Sequence, residues 1–244
     1  AALRPNNLSD LEEAFVRYEK APYKVAGFFH EIVMMNYGAR LLSREFLGRA
    51  YELCAAHDVP MVADEIQSCV WAPDTFLFRE YGLRPSFLAL GKGFPGGEYP
   101  ASRVLFSAAF DNLPQFGALV TNGQEEVASL AYLVTLAWTR ANADAIRAIG
   151  DYYARSLQAV AGDFPDQIAS VEGSRHLSGI CFRELATARA FVARLQSGGV
   201  DISVQTYKAQ CPPVVLTKLP LICGTEVIDL VVERMREALG ARRN

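Results

Sequence analysis

Residues 59–67 read VPMVADEIQ, and this stretch decides the fold class of the chain. Its first five residues are apolar and suit a buried strand, which stops abruptly at the acidic pair Asp64 and Glu65. A second stretch, FLALGKG at residues 87–93, has the same layout, with four apolar residues followed by Lys92 between two glycines. Apolar residues at helical spacing over 43–57 precede the first strand. Strands that alternate with helices predict an α/β layer with a mostly parallel sheet.

The composition excludes several classes of protein. The chain has 244 residues, a formal net charge of -3 and 51% hydrophobic residues, which is enough apolar material for a large core. The near-neutral charge balance argues against a nucleic-acid or membrane-surface partner, and no apolar stretch approaches the ~20 residues of a membrane span. Five scattered cysteines without a CxxC pair, with three isolated histidines, predict neither a metal site nor a disulfide framework. We therefore expect a cytoplasmic protein.

The pattern changes near residue 150 and predicts two domains. Residues 1–150 hold the alternating strands and helices, and they end in a stretch from Gln124 to Ile149 that lacks glycine and proline and suggests one or two long helices. Residues 151–244 suit a smaller α+β domain. Its predicted elements after a first helix are strands near 168–171 and 178–182, a helix over 186–196, a strand near Val200 and a final helix over 225–239.

Asp64 and Lys92 follow two apolar strands and are expected at one edge of the sheet, where open α/β sheets bind ligands. Separately, each has a simpler explanation: a carboxylate there can bind magnesium or cap a helix, and a lysine between glycines can be an exposed turn residue. A Walker phosphate loop is excluded, because the upstream glycine spacing and a Ser or Thr after Lys92 are missing. Together the two residues suit pyridoxal phosphate, which needs a lysine amine for a Schiff base and an acid against its pyridine nitrogen.

The motifs around these two residues resemble those of the class-III pyridoxal-phosphate aminotransferases, the group of the ornithine and 4-aminobutyrate aminotransferases. VADEIQ at 62–67 is similar to the family's ADEVQ signature, and ALGKG at 89–93, with Tyr99-Pro100 further on, is similar to its LAKGxxGGYPxGA. Further similarities run through nearly the whole chain. The resemblance implies the C-terminal half of a fold-type-I enzyme: part of the large cofactor-binding domain (1–150), followed by the small C-terminal domain (151–244).

The resemblance also implies a role for each matching residue. Lys92 would form the Schiff base with the cofactor and then move a proton between substrate and cofactor, while Asp64 would pair with the pyridinium nitrogen. Ile66 would pack on one face of the ring, and Gln67 would reach the ring's phenolic oxygen. Thr121 matches a threonine that the neighbouring subunit gives to the cofactor phosphate, which implies a homodimer with the cofactor site at the subunit interface.

Several positions depart from the family pattern or leave its meaning open. The glycine-rich TGFGRTG that usually follows Gln67 is SCVWAPD here, near the substrate pocket of the family, so we expect an unusual substrate. An arginine that often grips a substrate carboxylate is replaced by Ala209 beside Lys208, which cannot form the bidentate fork. Glu31 aligns with the glutamate of the family's EP motif, but a structural role at the end of the strand is equally open.

The predicted function is that of a pyridoxal-phosphate-dependent class-III aminotransferase, which transfers an amino group between an amine or amino acid and a keto or aldehyde acceptor. Two alternatives stay open: an aminomutase, epimerase or decarboxylase of the same family, and a non-catalytic half-chain that scaffolds a complete enzyme. Members of the family are longer at the N-terminus. We therefore expect the N-terminal half to be a separate chain or to have been lost by truncation.

Overall fold

The computed structural model describes residues 1–20, 22–96, 99, 101–117, 126–206, 208 and 211–240 of the chain. They form two compact units, of which unit 1 comprises Ala1–Ile32 and Leu42–Ala143, and unit 2 comprises Val33–Leu41 and the chain from Asp144 onward. The domain boundary predicted at residue 150 differs from this division in two ways. The second unit begins seven residues earlier, and it takes a short hairpin that the sequence pattern assigns to the first domain.

Helices and strands alternate through most of the chain. The helices are α1 (Leu8–Tyr18), α2 (Arg44–Ala56), α3 (Leu77–Glu80), α4 (Glu126–Ala141), α5 (Ala143–Asp163), α6 (Leu185–Ser197) and α7 (Thr225–Leu239). The strands are β1 (Phe28–His30), β2 (Val33–Met34), β3 (Arg40–Leu41), β4 (Met61–Asp64), β5 (Phe87–Leu90), β6 (Arg103–Phe106), β7 (Ile168–Ser174), β8 (Leu177–Phe182), β9 (Val204–Gln205) and β10 (Val214–Lys218). Among the described helices, none combines the length and the apolar character that crossing a membrane requires.

The sheet of unit 1 has the strand order β1-β4-β5-β6. Strands β1, β4 and β5 run parallel, and β6 pairs antiparallel with β5, so the predicted mostly parallel α/β layer is confirmed. In the register, His30 lies opposite Ala63, and Asp64 lies opposite Ala89. The carboxyl ends of the three parallel strands therefore lie next to one another, which determines where the functional side chains can meet.

Unit 2 is built around an antiparallel sheet with the order β7-β8-β10-β9. Its core consists of apolar residues from α5, α6, α7 and the sheet, with Tyr153, Phe182 and Phe191 among the largest fully buried side chains. The strand predicted near Val200 is wrong, because β9 lies at Val204–Gln205 and consists of two residues paired with β10. The antiparallel sheet with helices is the α+β arrangement expected for the C-terminal part.

Candidate active site

Three ionisable residues follow the three parallel strands of unit 1. Glu31 comes directly after β1, Asp64 is the last residue of β4, and Lys92 lies two residues beyond β5. The parallel register places these strand ends side by side. The structure thus brings Asp64 and Lys92 to one edge of the sheet, where sequence reasoning expects them, and it adds Glu31 as their neighbour.

The Glu31 carboxyl is electrostatically coupled to both of the other groups. Its side chain is partly buried, and burial together with the negative charge of Asp64 raises its pKa to about 7, although the positive charge of Lys92 opposes this rise. Because both charges act on one carboxyl, the three side chains form a single charged cluster. Near neutral pH, Glu31 can therefore hold or release a proton beside Asp64 and Lys92.

Asp64 is held in place by its own chain. One of its carboxylate oxygens, Oδ1, accepts a hydrogen bond of 3.0 Å from the Ile66 backbone N–H. Such a bond two residues on is a common use of an aspartate in a turn, and it fixes the carboxylate where the strand ends. The side chain is half-buried, so it borders the site and not the core.

Glu65, the second member of the acidic pair, has a different task. It is fully buried, and its two carboxylate oxygens accept hydrogen bonds from the backbone N–H groups of Leu77 (2.8 Å) and Phe78 (2.6 Å) at the start of α3. Phe76, which precedes that helix, provides no side-chain acceptor of its own. Burial raises the pKa of Glu65 to about 7, although these hydrogen bonds favour the charged form. Helix capping, one explanation for a carboxylate at this strand end, therefore applies to Glu65.

Lys92 presents its amine from a strained turn. The side chain is exposed, and the backbone of Lys92 is left-handed, with φ at 49°. Residues other than glycine, asparagine and aspartate seldom adopt this conformation. The turn continues into Phe94, whose ring lies 4.8 Å from the ring of Tyr132 on α4 and 5.8 Å from that of Phe76. These aromatic contacts anchor the far end of the turn in the core of unit 1.

The segment that follows Asp64 packs against the lysine turn. The side chain of Ile66 lies beside Gly91, within 3.7 Å of the place that a Cβ there would take, and the Cys69 thiol donates a hydrogen bond of 3.5 Å to the Gly91 carbonyl. Gln67 lies half-buried in the same segment. The structure thus places Asp64, Lys92, Ile66 and Gln67 in one region, whereas Thr121 and Ala209 lie outside the described residues.

His30 is a buried neighbour of this region that contributes no charge to it. Its Nε2 lies 2.9 Å from the Tyr51 hydroxyl, and burial lowers its pKa to about 4, so the ring is neutral at physiological pH. In the part of the chain that the structure describes, no three His, Cys, Asp or Glu side chains meet in a cluster that could hold a metal ion. Among the described residues, the charged groups that meet at this edge of the sheet are Glu31, Asp64 and Lys92.

The chain is similar to aminotransferases in sequence. The family model described as aminotransferase class-III matches residues 4–239. An ornithine aminotransferase from Schizosaccharomyces pombe is 37% identical over 106 residues, which cover 43% of this chain and 24% of the relative. A diaminobutyrate–2-oxoglutarate transaminase from Oceanobacillus iheyensis is 24% identical over 222 residues, which cover 88% of this chain and 51% of the relative.

Solved structures share the fold. The ornithine aminotransferase from Plasmodium yoelii superposes with a TM-score of 0.84 at 21% identity, over 98% of this chain and 62% of that one. The ornithine aminotransferase from Toxoplasma gondii, described with partial occupancy of pyridoxal phosphate at its active site, gives a TM-score of 0.84 at 20% identity over 97% of this chain and 55% of that one. The chain thus spans about a quarter to three fifths of the length of these proteins.

Proposed function

The chain belongs to the class-III aminotransferase family, and we propose that it forms the lysine-bearing part of a pyridoxal-phosphate-dependent aminotransferase. The observation that carries this proposal is the placement of Asp64 and Lys92 at the adjacent ends of two parallel strands. The enzyme would transfer an amino group between an amine or amino acid and a keto or aldehyde acceptor. Relatives named for ornithine and for diaminobutyrate support an amine-bearing donor.

The side chains at this edge of the sheet suit the chemistry of pyridoxal phosphate. The cofactor has an aldehyde, a basic ring nitrogen, two apolar ring faces and a phenolic oxygen. Lys92 offers an amine, Asp64 a carboxylate, Ile66 an apolar surface and Gln67 an amide donor. When bound, pyridoxal phosphate supplies an electron sink for the carbanion that forms at the substrate carbon. We assign Thr121 to the phosphate, as a residue contributed by the partner subunit.

Asp64 and Lys92 then perform distinct tasks. Asp64, oriented by the Ile66 N–H, would hold the cofactor by accepting a hydrogen bond from its protonated ring nitrogen, and would stabilise the positive charge there. Lys92 would hold the aldehyde carbon through Nζ, with loss of water. Once an amino donor has released Lys92, the same Nζ would take a proton from the substrate carbon. Because only a neutral amine can accept that proton, the cationic ring beside it would favour the reactive form of Lys92.

Exposed apolar surfaces of unit 1 support the proposal that other chain segments cover it. In the edge strand β6, Val104, Leu105 and Phe106 are 56%, 49% and 42% exposed. Successive residues of a strand point to opposite faces, so both faces of β6 are partly exposed. Among the described residues, β6 pairs with β5 alone, which leaves its other side as an edge of the sheet. Such an edge invites pairing or aggregation unless another chain segment covers it. We infer that the remaining part of the family's length, as the same or a separate polypeptide, covers this strand.

The exposed face of helix α4 supports a further interface, with a second copy of the protein. Leu130, Leu133 and Val134 lie at helical spacing on its surface and are 60%, 65% and 60% exposed. Contiguous apolar surface of this kind usually marks an interface. We infer a homodimer in which a second copy of the protein covers α4. The five free cysteines support a reducing compartment and therefore a cytoplasmic location.

Mass spectrometry after borohydride reduction tests the proposed function. The complete protein is reduced with its cofactor, weighed intact and then mapped by peptide, in wild type, Lys92→Ala and the control Lys24→Ala, which removes an exposed lysine of the same unit. We expect a pyridoxyl-phosphate adduct on Lys92 that persists in Lys24→Ala and vanishes in Lys92→Ala, together with transaminase activity. A folded, complete protein without an adduct on Lys92 would instead support a scaffold. Racemised or decarboxylated product without a keto product would identify one of the other activities.

A further inference from the structure

The strain in the lysine turn lies on Lys92 itself. Lys92 is left-handed, whereas the glycines on either side of it are not. A turn of this sequence could place a glycine in the left-handed position at no steric cost. A strained non-glycine conformation persists only where the surrounding structure over-determines it. The contacts that hold Gly91 and Gly93 therefore decide where the Lys92 amine stands.

On one side of Lys92, the contacts of Gly91 are ordinary. A Cβ at Gly91 would lie 3.5 Å from the Cβ of Ser102 and 3.7 Å from Ile66, both at van der Waals distance. The Cys69 thiol adds one weak hydrogen bond to the Gly91 carbonyl. An alanine would fit at residue 91 without moving its neighbours, so this side of the turn is restrained but not tightly filled.

On the other side of Lys92, the indole of Trp71 rests directly on Gly93. A Cβ at Gly93 would lie only 2.5 Å from Cζ3 of the indole, a distance that real Cβ atoms do not show, and 3.7 Å from Cζ2. Because the φ of Gly93 is not left-handed, its backbone would accept any residue. A side chain at residue 93 would therefore force the indole or the turn to move. This close approach is the tightest contact that the structure shows for the lysine turn.

We propose that Trp71 is a positioning residue for Lys92, whose indole packs on Gly93 and keeps the lysine turn in its left-handed form. The indole belongs to the segment that begins at Asp64, so it also ties the amine to the carboxylate of the same site. The role of Lys92 rests on the proposed function, whereas the Trp71–Gly93 contact does not. Removing the indole should let the turn relax and move the amine away from its working place.

The test measures how fast the cofactor is trapped on Lys92. Cofactor-free complete protein is mixed with pyridoxal phosphate and quenched with borohydride after set times, and the adduct on Lys92 is compared with the adduct on the exposed Lys24. Trp71→Ala and Gly93→Ala should each slow trapping on Lys92 about tenfold or more, because misplacement by about 1 Å can cost about 100-fold. Trapping on Lys24 should not change. Trp71→Phe should restore most of the rate.

The double variant tests whether the two residues act through one contact. Trp71→Ala combined with Gly93→Ala should be no slower than the slower single variant, whereas independent effects would multiply. Gly48→Ala is the control, because a Cβ there meets nothing within 4 Å. Wild-type trapping rates in folded Trp71→Ala, or multiplying effects in the double variant, would overturn the positioning role.

A cofactor-independent reagent separates this inference from the proposed function. Acetic anhydride labels lysine amines, so the acetylation rate of Lys92, relative to Lys24, reports its environment in the same variants. If Lys92 never takes up the cofactor in wild type, the proposed function fails. In that case, the positioning role is supported if Trp71→Ala and Gly93→Ala change the acetylation rate of Lys92 to the same extent. It is contradicted if either variant leaves that rate unchanged.

Discussion

Replacing Glu65 should cost stability in a way that depends on pH, whereas replacing its neighbour Asp64 should not. Glu65→Ala leaves the N–H groups of Leu77 and Phe78 without their acceptor in a buried place. Each such unsatisfied group costs about 1–3 kcal/mol, so the variant should lose about 4 kcal/mol at pH 5. Asp64→Asn keeps an oxygen for the Ile66 N–H and should stay within about 0.5 kcal/mol of wild type.

The pH dependence follows from the raised pKa of Glu65. A carboxyl whose pKa rises from 4.5 to about 7 on folding stabilises the folded state below pH 4.5, and this contribution disappears as the pH rises through 7. The shift corresponds to about 3 kcal/mol between these limits. Wild type therefore carries the cost of a buried charge at pH 8 that Glu65→Ala avoids. The destabilisation by Glu65→Ala should shrink to about 1–2 kcal/mol at pH 8.

Urea unfolding followed by circular dichroism at pH 5 and pH 8 measures both effects. Because Glu31 titrates over the same range in wild type and in Glu65→Ala, its contribution cancels in that difference. Asp64→Asn removes a charge that acts on Glu31, so this control one residue away is compared with wild type at pH 5, where Glu31 is protonated. A Glu65→Ala loss that is equal at both pH values would show that Glu65 does not titrate with a raised pKa. A loss below about 1 kcal/mol at pH 5 would show that it does not cap α3.

Three shorter predictions concern other residues. His176 is fully buried and burial lowers its pKa to about 4, so its stabilising contribution is present above pH 6.5 and is lost as the pH falls through 4. His176→Leu should remove up to about 3 kcal/mol of this acid sensitivity in thermal melts. An unchanged acid transition would contradict this prediction. Gly173→Ala should lower the free energy of unfolding in urea by more than about 2 kcal/mol, because a Cβ there would collide with the Leu177 carbonyl and φ is +97°. Gly162→Ala in α5, the control, should not lower it. Glu31→Gln should remove a step near pH 7 from the pH profile of cofactor trapping on Lys92, because it removes the neighbouring carboxyl whose pKa is raised to about 7. Identical pH profiles in the variant and in wild type would exclude this coupling.

The elements that carry the site could be predicted from the sequence because their signals are local. The apolar runs before Asp64 and Lys92 contain β4 and β5, and the final helix predicted over 225–239 agrees with α7 at both ends. Strand β9 has no such signal. It consists of two residues, which are too few to show a periodicity, and the sequence pattern therefore misplaces this strand near Val200.

The roles of the individual acidic residues in the site could not be predicted from the sequence, because each role depends on an element that packs beside the residue in the folded chain. Asp64 and Glu65 are adjacent acids of equal chemistry, and only the arrival of the α3 N-terminus twelve residues later turns Glu65 into a cap. Glu31 becomes a titrating member of the cluster only because β1 lies beside β4.

The backbone conformation of the lysine turn could not be predicted from the sequence either. A lysine between two glycines suggests that the glycines take the unusual backbone conformation, since they alone can do so without strain. The structure reverses this assignment: Lys92 is left-handed, and Gly93 is small because the indole of Trp71 occupies the space beside it. A glycine that serves packing and a glycine that serves a turn look identical in a sequence, and the partner 22 residues away distinguishes them. The φ of Lys92 is therefore a property of the packed segment that follows Asp64, and the geometry of the amine should change with that segment.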